Sequence, residues 1–170
     1  MKTYFYIHGY NSSIKSETVS KLKEHFPSLV ALTYDQNEPE QSIVDLAKQI
    51  NSYKGMLVII GTSLGAWYAE RLTKYVSAEF ILYNPATDPE KTLQSLGESK
   101  EIYSKYSKIT ELPKNNRVVI LCTDDEVIPY EAAYQTYNNK AKIVLTAGGH
   151  RIKELNTVLD QLKRLDNTIC

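Results

Sequence analysis

Met56-Leu57-Val58-Ile59-Ile60 leads into Gly61-Thr62-Ser63-Leu64-Gly65, and Ala66-Trp67-Tyr68-Ala69-Glu70-Arg71-Leu72-Thr73-Lys74 leads out of it. The first run is short, apolar and β-branched, which reads as a buried strand. The last is a helix-forming run. Between them a serine stands in a Gly-x-Ser-x-Gly frame, where flanking glycines admit a strand-to-helix turn too sharp for side chains. Such a turn lifts the serine hydroxyl above the sheet. It also aims the first free N–H groups of the helix at whatever that hydroxyl attacks. The stretch therefore predicts strand, tight turn and helix, with Ser63 as a nucleophile at the junction.

Working outward, strand-like and helix-like runs alternate from end to end. Tyr4–Ile7, Ser28–Thr33, Met56–Ile60, Glu79–Tyr83, Arg117–Leu121 and Lys142–Leu145 read as six strands. Between them Ser16–Phe26 carries Val19, Leu22, Lys23 and Phe26 at helical spacing, and Glu38–Tyr53 carries Ile43, Leu46, Ala47 and Ile50. Pro27 and Gly55 punctuate their ends. Ser63–Tyr75, Tyr130–Tyr137 and His150–Leu165 read as later helices, the last through Ile152, Leu155, Val158, Leu159 and Leu162. Strands separated by helices imply parallel pairing with right-handed crossovers. The segment Pro85–Lys114 breaks the rhythm, with weak helical pieces at Pro89–Leu96 and Ile102–Ile109 only. A connection that long marks a functional or mobile segment, here between the fourth and fifth strands.

At 170 residues the chain is one domain, 1–170, able to bury roughly 70% of its unfolded surface. Twenty basic and 20 acidic side chains cancel to a formal charge of zero, so no overall field gathers nucleic acid or anionic lipid. The expected partner is a small molecule, with no nucleic acid and no membrane. Cys122 and Cys170 read as free thiols of a reducing compartment. Met1–Ile7 lacks the length and cleavage site of a signal peptide, and no run approaches the roughly 20 apolar residues that span a bilayer. The expectation is a cytoplasmic protein.

A serine hydroxyl needs a base, and the usual base is a histidine held in one tautomer by a carboxylate. His25 lies beside Glu24 on an amphipathic helix and reads as a surface residue. His150 follows Thr146-Ala147-Gly148-Gly149 at the end of the last strand, where catalytic groups gather in a parallel sheet, and is the candidate base. The orienting acid is sought after the fifth strand, in Cys122-Thr123-Asp124-Asp125-Glu126-Val127-Ile128-Pro129. Asp125 is favoured over Asp124 because it stands four residues before Pro129, which resembles the Asp-x-Val-x-Pro arrangement in which the acid often stands in α/β-hydrolases, and the competing reading is an acidic turn that caps the helix at Tyr130. The chain order Ser63, Asp125, His150 is that of α/β-hydrolases. Two N–H donors for a developing oxyanion are expected from Leu64 and, beyond the first strand in His8-Gly9-Tyr10, from Tyr10. His8 reads as structural, while Asn11, Ser12 and Ser13 read as caps of the next helix with a pocket role left open.

Four blocks, His8-Gly9-Tyr10-Asn11-Ser12-Ser13, Gly61-Thr62-Ser63-Leu64-Gly65-Ala66, Thr123-Asp124-Asp125-Glu126-Val127 and Gly148-Gly149-His150, resemble those of the small bacterial esterases of the YqiA/YcfP (UPF0227) family. The resemblance spans most of the chain. It implies a minimal α/β-hydrolase: about six mainly parallel strands in order 2-1-3-4-5-6, helices on both faces, and a short lid-like insertion, 85–114. It implies esterase activity on short-chain acyl esters, with Ser63 as nucleophile, Asp125 as acid and His150 as base. Asp124 stands where a glycine is expected and Ala66 where a second glycine is frequent, so the choice between neighbouring aspartates stays open.

Other features take plainer readings. Tyr83, Tyr103 and Tyr106 read either as lining of an acyl pocket or as amphipathic surface cover. Trp67 reads as packing under the nucleophile helix, and the charge alternation of Glu98–Lys108 as a solvated face. No metal-ligand spacing and no phosphate loop is found, so neither metal nor cofactor is expected. The expected function is cleavage of carboxylic esters or thioesters through an acyl-enzyme. The alternatives are acyl transfer by the same three residues, or a binding protein that kept the fold with weak catalysis.

Overall fold

The computed structural model describes residues 2–151 together with Leu159 and Lys163. Its strands are β1 (Lys2–Ile7), β2 (Val30–Leu32), β3 (Met56–Thr62), β4 (Glu79–Tyr83), β5 (Arg117–Cys122) and β6 (Lys142–Thr146). Its helices are α1 (Glu17–His25), α2 (Pro39–Asn51), α3 (Leu64–Leu72), α4 (Pro89–Ser95), α5 (Lys100–Tyr103) and α6 (Tyr130–Tyr137). The six strands form one sheet in the order β2-β1-β3-β4-β5-β6, and every neighbouring pair is parallel. Both the expected order and the expected direction hold.

The continuous apolar run of β3 follows from burial on both sides, as parallel strands require. Leu57 and Ile59 join Phe5, Ile7, Phe80, Leu82, Val119 and Leu121 on one face, under α2, α3 and α6. Val58 and Ile60 join Tyr4, Tyr6, Ile81, Tyr83, Ile120 and Cys122 on the other, under Val19, Leu22 and Phe26 of the α1 segment and Leu159. Helices thus cover both faces. The rest of the helix expected at His150–Leu165, with Ile152, Leu155, Val158 and Leu162, lies outside the described residues, as does Cys170.

Three local expectations are corrected. The cap of α1 is Ser16, whose hydroxyl accepts from Val19 N–H at 3.4 Å, and not Asn11, Ser12 or Ser13. The expected strand Ser28–Thr33 shrinks to Val30–Leu32, because at this sheet edge only β1 offers a ladder. The expected helical piece Ile102–Ile109 ends at Tyr103. Beyond it tertiary partners take the backbone groups a helix would use: Trp67 Nε1 and Arg71 Nη2 donate to Ser107 C=O at 2.9 and 3.0 Å, and Ile109 N–H donates to Thr87 C=O at 2.8 Å.

The insertion 85–114 is pinned to the body. Leu93, Tyr106 and Ile109 lie in the core, and Lys105 Nζ meets Glu38 at 2.9 Å. Glu98–Lys108 is therefore not wholly a solvated face, because burying Tyr106 satisfies its hydroxyl on Gln36 C=O at 2.7 Å and Tyr68 Oη at 2.9 Å. Tyr83 is likewise buried, its hydroxyl 2.7 Å from Cys122 Sγ. Both tyrosines are core residues, neither pocket lining nor surface cover.

The parallel register brings the strand exits to one rim. Ile7 pairs Gly61, Thr62 pairs Tyr83, Tyr83 pairs Ile120, and Cys122 pairs Thr146. The turns after β1, β3, β4, β5 and β6 therefore meet above the sheet.

Candidate active site

Ser63 sits between β3 and α3 with φ +53° and ψ −118°, a backbone region that side chains rarely adopt and that costs on the order of 1–3 kcal/mol. Its surroundings enforce that shape. A Cβ on Gly61 would lie 2.6 Å from Gly65 C=O, and one on Gly65 would lie 2.1 Å from Ile7 C=O and 2.4 Å from His8 C=O. The start of α3 therefore packs directly on the exit of β1, and glycine is required for the approach. Ser63 N–H donates to Tyr83 C=O at 2.9 Å, and Ser63 C=O accepts from Ala86 N–H at 3.1 Å.

The loop after β1 runs beside the serine. A Cβ on Gly9 would lie 3.2 Å from Ser63 Cβ. Tyr34, which the sequence did not single out, donates its hydroxyl to His8 C=O at 2.9 Å and stacks on the His8 ring at 4.7 Å between centroids. His8 Nδ1 lies 2.9 Å from Gly9 C=O, and burial depresses its basicity below the usual histidine range. His8 thus belongs to the loop's framework. Tyr10 follows on the cleft wall, and Leu64 opens α3, where the helix leaves its first N–H groups without internal partners.

The turns after β5 and β6 meet over Ser63. His150 Nε2 is 3.1 Å from Ser63 Oγ, and His150 Nδ1 is 2.9 and 3.0 Å from the carboxylate oxygens of Asp125. Asp125 Oδ1 also accepts from the N–H groups of Val127 and Ile128, each at 2.8 Å, so its orientation is fixed by its own turn. The structure brings together Ser63, His150 and Asp125. Asp124 is turned to the backbone instead, with Oδ1 accepting from Gly148 and Gly149 N–H at 2.9 and 3.0 Å. Glu126 Oε2 accepts from His150 N–H at 2.9 Å. The acidic run is thus built around the histidine loop. His25 is exposed on α1, its Nδ1 3.1 Å from Lys21 C=O.

A cleft of about 900 Å³ opens above Ser63 and His150. Tyr6, Tyr10, Leu96 and Val127 give it apolar patches, and Asn11, Ser12, Ser16 and Thr18 give it hydrogen-bonding groups. Tyr6 meets Thr62 Oγ1 at 3.0 Å, and burial pushes its hydroxyl up to about 12, so it stays protonated at working pH. Of the insertion, Leu96 and Glu98 reach the cleft.

A doubly wound parallel sheet in this order, with a strained serine turn after its third strand, defines an α/β-hydrolase fold. The model of the uncharacterised protein family UPF0227 matches residues 3–167, and the chain belongs to that family. It is 23% identical over 171 residues to the UPF0227 protein YcfP of Escherichia coli O9:H4 (strain HS), covering 93% of this chain and 95% of that protein. The YcfP of Salmonella paratyphi A is 24% identical over the same shares. Among solved structures, mouse alpha/beta hydrolase domain-containing protein 10 superposes with a TM-score of 0.75 at 15% identity, covering 99% of this chain and 90% of that one. The ydeN gene product of B. subtilis gives 0.73 at 20% identity, covering 96% and 98%. Est1E from Butyrivibrio proteoclasticus with bound ferulic acid gives 0.74 at 16% identity, covering 99% and 89%. At these identities the likeness establishes the fold. Among the described residues no helix is long and apolar enough to cross a membrane.

Proposed function

We propose that the protein is a serine hydrolase that cleaves carboxylic esters or thioesters of short acyl chains. The observation that carries this reading is the continuous chain from Ser63 Oγ through the His150 ring to the Asp125 carboxylate, at 3.1 Å and 2.9 Å. In the reaction, Ser63 Oγ attacks the acyl carbon as His150 Nε2 takes its proton, while Asp125 holds Nδ1–H and stabilises the imidazolium. The N–H groups of Leu64 and Tyr10 receive the negative charge that develops on the carbonyl oxygen. The imidazolium then protonates the departing alcohol or thiol. Water enters, gives its proton to His150 and attacks the acyl-enzyme, and His150 returns that proton to Ser63 Oγ as the acid is released. The mixed lining of the cleft supports small, polar esters, since a long alkyl chain would meet Asn11, Ser12, Ser16 and Thr18.

The test is turnover of a chromogenic acetyl or butyryl ester by purified protein and its Ser63→Ala variant. The variant is expected to fall at least about 1,000-fold in kcat, and a fluorophosphonate to label the parent protein once, on Ser63. Full turnover by Ser63→Ala overturns the assignment.

A further inference from the structure

One four-residue turn at the exit of β4 touches the backbone that carries each of the three residues. Tyr83 C=O and Ala86 N–H hold the two sides of Ser63, at 2.9 and 3.1 Å. Between them Asn84 points its amide across the sheet rim. Its Oδ1 accepts from Cys122 N–H at 2.8 Å, at the start of the turn that carries Asp125. Its Nδ2 donates to Gly149 C=O at 3.1 Å, the carbonyl of the peptide that leads into His150. Asn84 is buried, with 3% of its surface exposed, and its own N–H donates to Ile120 C=O at 2.9 Å. Its φ of +42° is one that asparagine tolerates better than most side chains.

The Gly148–His150 loop needs outside support. Both glycines have positive φ, +143° and +70°, and a Cβ on Gly149 would lie 2.9 Å from Glu126 Oε2. The N–H groups of Gly148, Gly149 and His150 are taken by Asp124 and Glu126, which approach from the β5 turn. Those carboxylates restrain the loop through its donors. Asn84 restrains it through an acceptor, from the turn that also holds the nucleophile. That contact ties the backbone of the loop to the turn that holds the nucleophile, beside the direct contact of His150 Nε2 with Ser63 Oγ at 3.1 Å.

We propose that Asn84 is a positioning residue for His150, setting the height of the imidazole above Ser63 by fixing the Gly149 carbonyl; the proposal rests on the hydrolase reading of Ser63, His150 and Asp125. Asn84→Asp isolates the effect. It keeps Oδ1 for Cys122 N–H and tolerates the backbone angle, but sets a second acceptor oxygen against Gly149 C=O. Asn84→Gly removes both side-chain bonds while relaxing the backbone.

The experiment combines steady-state kinetics on a short-chain ester with proton NMR of the far-downfield His150 Nδ1–H resonance, identified by its loss in His150→Gln. Near-ultraviolet circular dichroism checks the fold. For Asn84→Asp we expect kcat to fall on the order of 100-fold with KM changed by less than about threefold, and the Nδ1–H resonance to shift or broaden. Asn84→Gly is expected to behave alike. A Nδ1–H resonance unchanged from the parent in both variants overturns the proposal whatever their turnover. Unfolding of both variants also overturns it, assigning Asn84 to the fold alone. Failure of the hydrolase reading shows separately, as a parent protein without Ser63-dependent turnover, and the resonance then still decides the role of Asn84.

Discussion

Asp125 accepts from His150 Nδ1 and from two N–H groups of its own turn, whereas Asp124 accepts from the N–H groups of Gly148 and Gly149. Replacing each by its amide should therefore have unequal effects. Asp125→Asn makes the group at Nδ1 able to donate, which favours the wrong imidazole tautomer, and kcat should fall by a factor on the order of 10,000. Asp124→Asn keeps an oxygen for both glycine N–H groups, and kcat should fall less than about tenfold. Ester hydrolysis by the two purified variants checks the ranking, and a reversal would give the acid's role to Asp124. The meeting of Ser63, Asp125 and His150 was legible in the sequence because each sits next to small or turn-forming residues at the end of an apolar run. Asn84 and Tyr34 were not. Each acts on a carbonyl far away in sequence, 65 residues for Asn84 and 26 for Tyr34, and no local pattern encodes such a partner.

The helix behind the serine is held at both of its ends. At its start, Gly65 lies against the exit of β1. Towards its end, Glu70 meets Arg117, the first residue of β5, at 3.0 Å, with side chains 2% and 1% exposed, and Glu70 Oε2 accepts from Tyr137 at 3.2 Å. Burial raises the Glu70 carboxyl above its usual range, against the lowering pull of the Arg117 charge. Such a pair is costly to break from one side. Arg117→Met is expected to lower unfolding free energy by about 3–5 kcal/mol, and Arg117→Met combined with Glu70→Leu by less than the single change. Urea unfolding midpoints of these two and of Glu70→Leu alone measure the coupling; a double variant whose loss equals the sum of the two single losses would show that the pair is not coupled. The helices α1 and α2 were legible from their apolar spacing. The chain beyond Tyr103 was not, because Ser107 C=O is claimed by Trp67 and Arg71 from a helix more than 30 residues earlier.

Across the whole molecule, the parallel direction of the strands followed from the alternation of strand-like and helix-like runs, whereas their order and the helices on both faces were what the family resemblance implied. The same parallel arrangement separates the connections into two sets. Those leaving strands at their carboxyl ends carry the residues of the site. Those entering strands, at Lys54–Gly55 before β3 and Asn138–Ala141 before β6, lie at the opposite rim, and Gly55 and Asn139 turn there with φ of +98° and +61°. Evolutionary and engineered growth should thus be unequally tolerated. A flexible insert of about eight glycine and serine residues between Lys54 and Gly55 should cost on the order of 1 kcal/mol in stability and leave ester turnover near that of the parent. The same insert between Gly149 and His150 should abolish turnover while the protein still folds. Assayed side by side, the two constructions separate the rim that can carry a fused tag or sensor from the rim that cannot be lengthened at all.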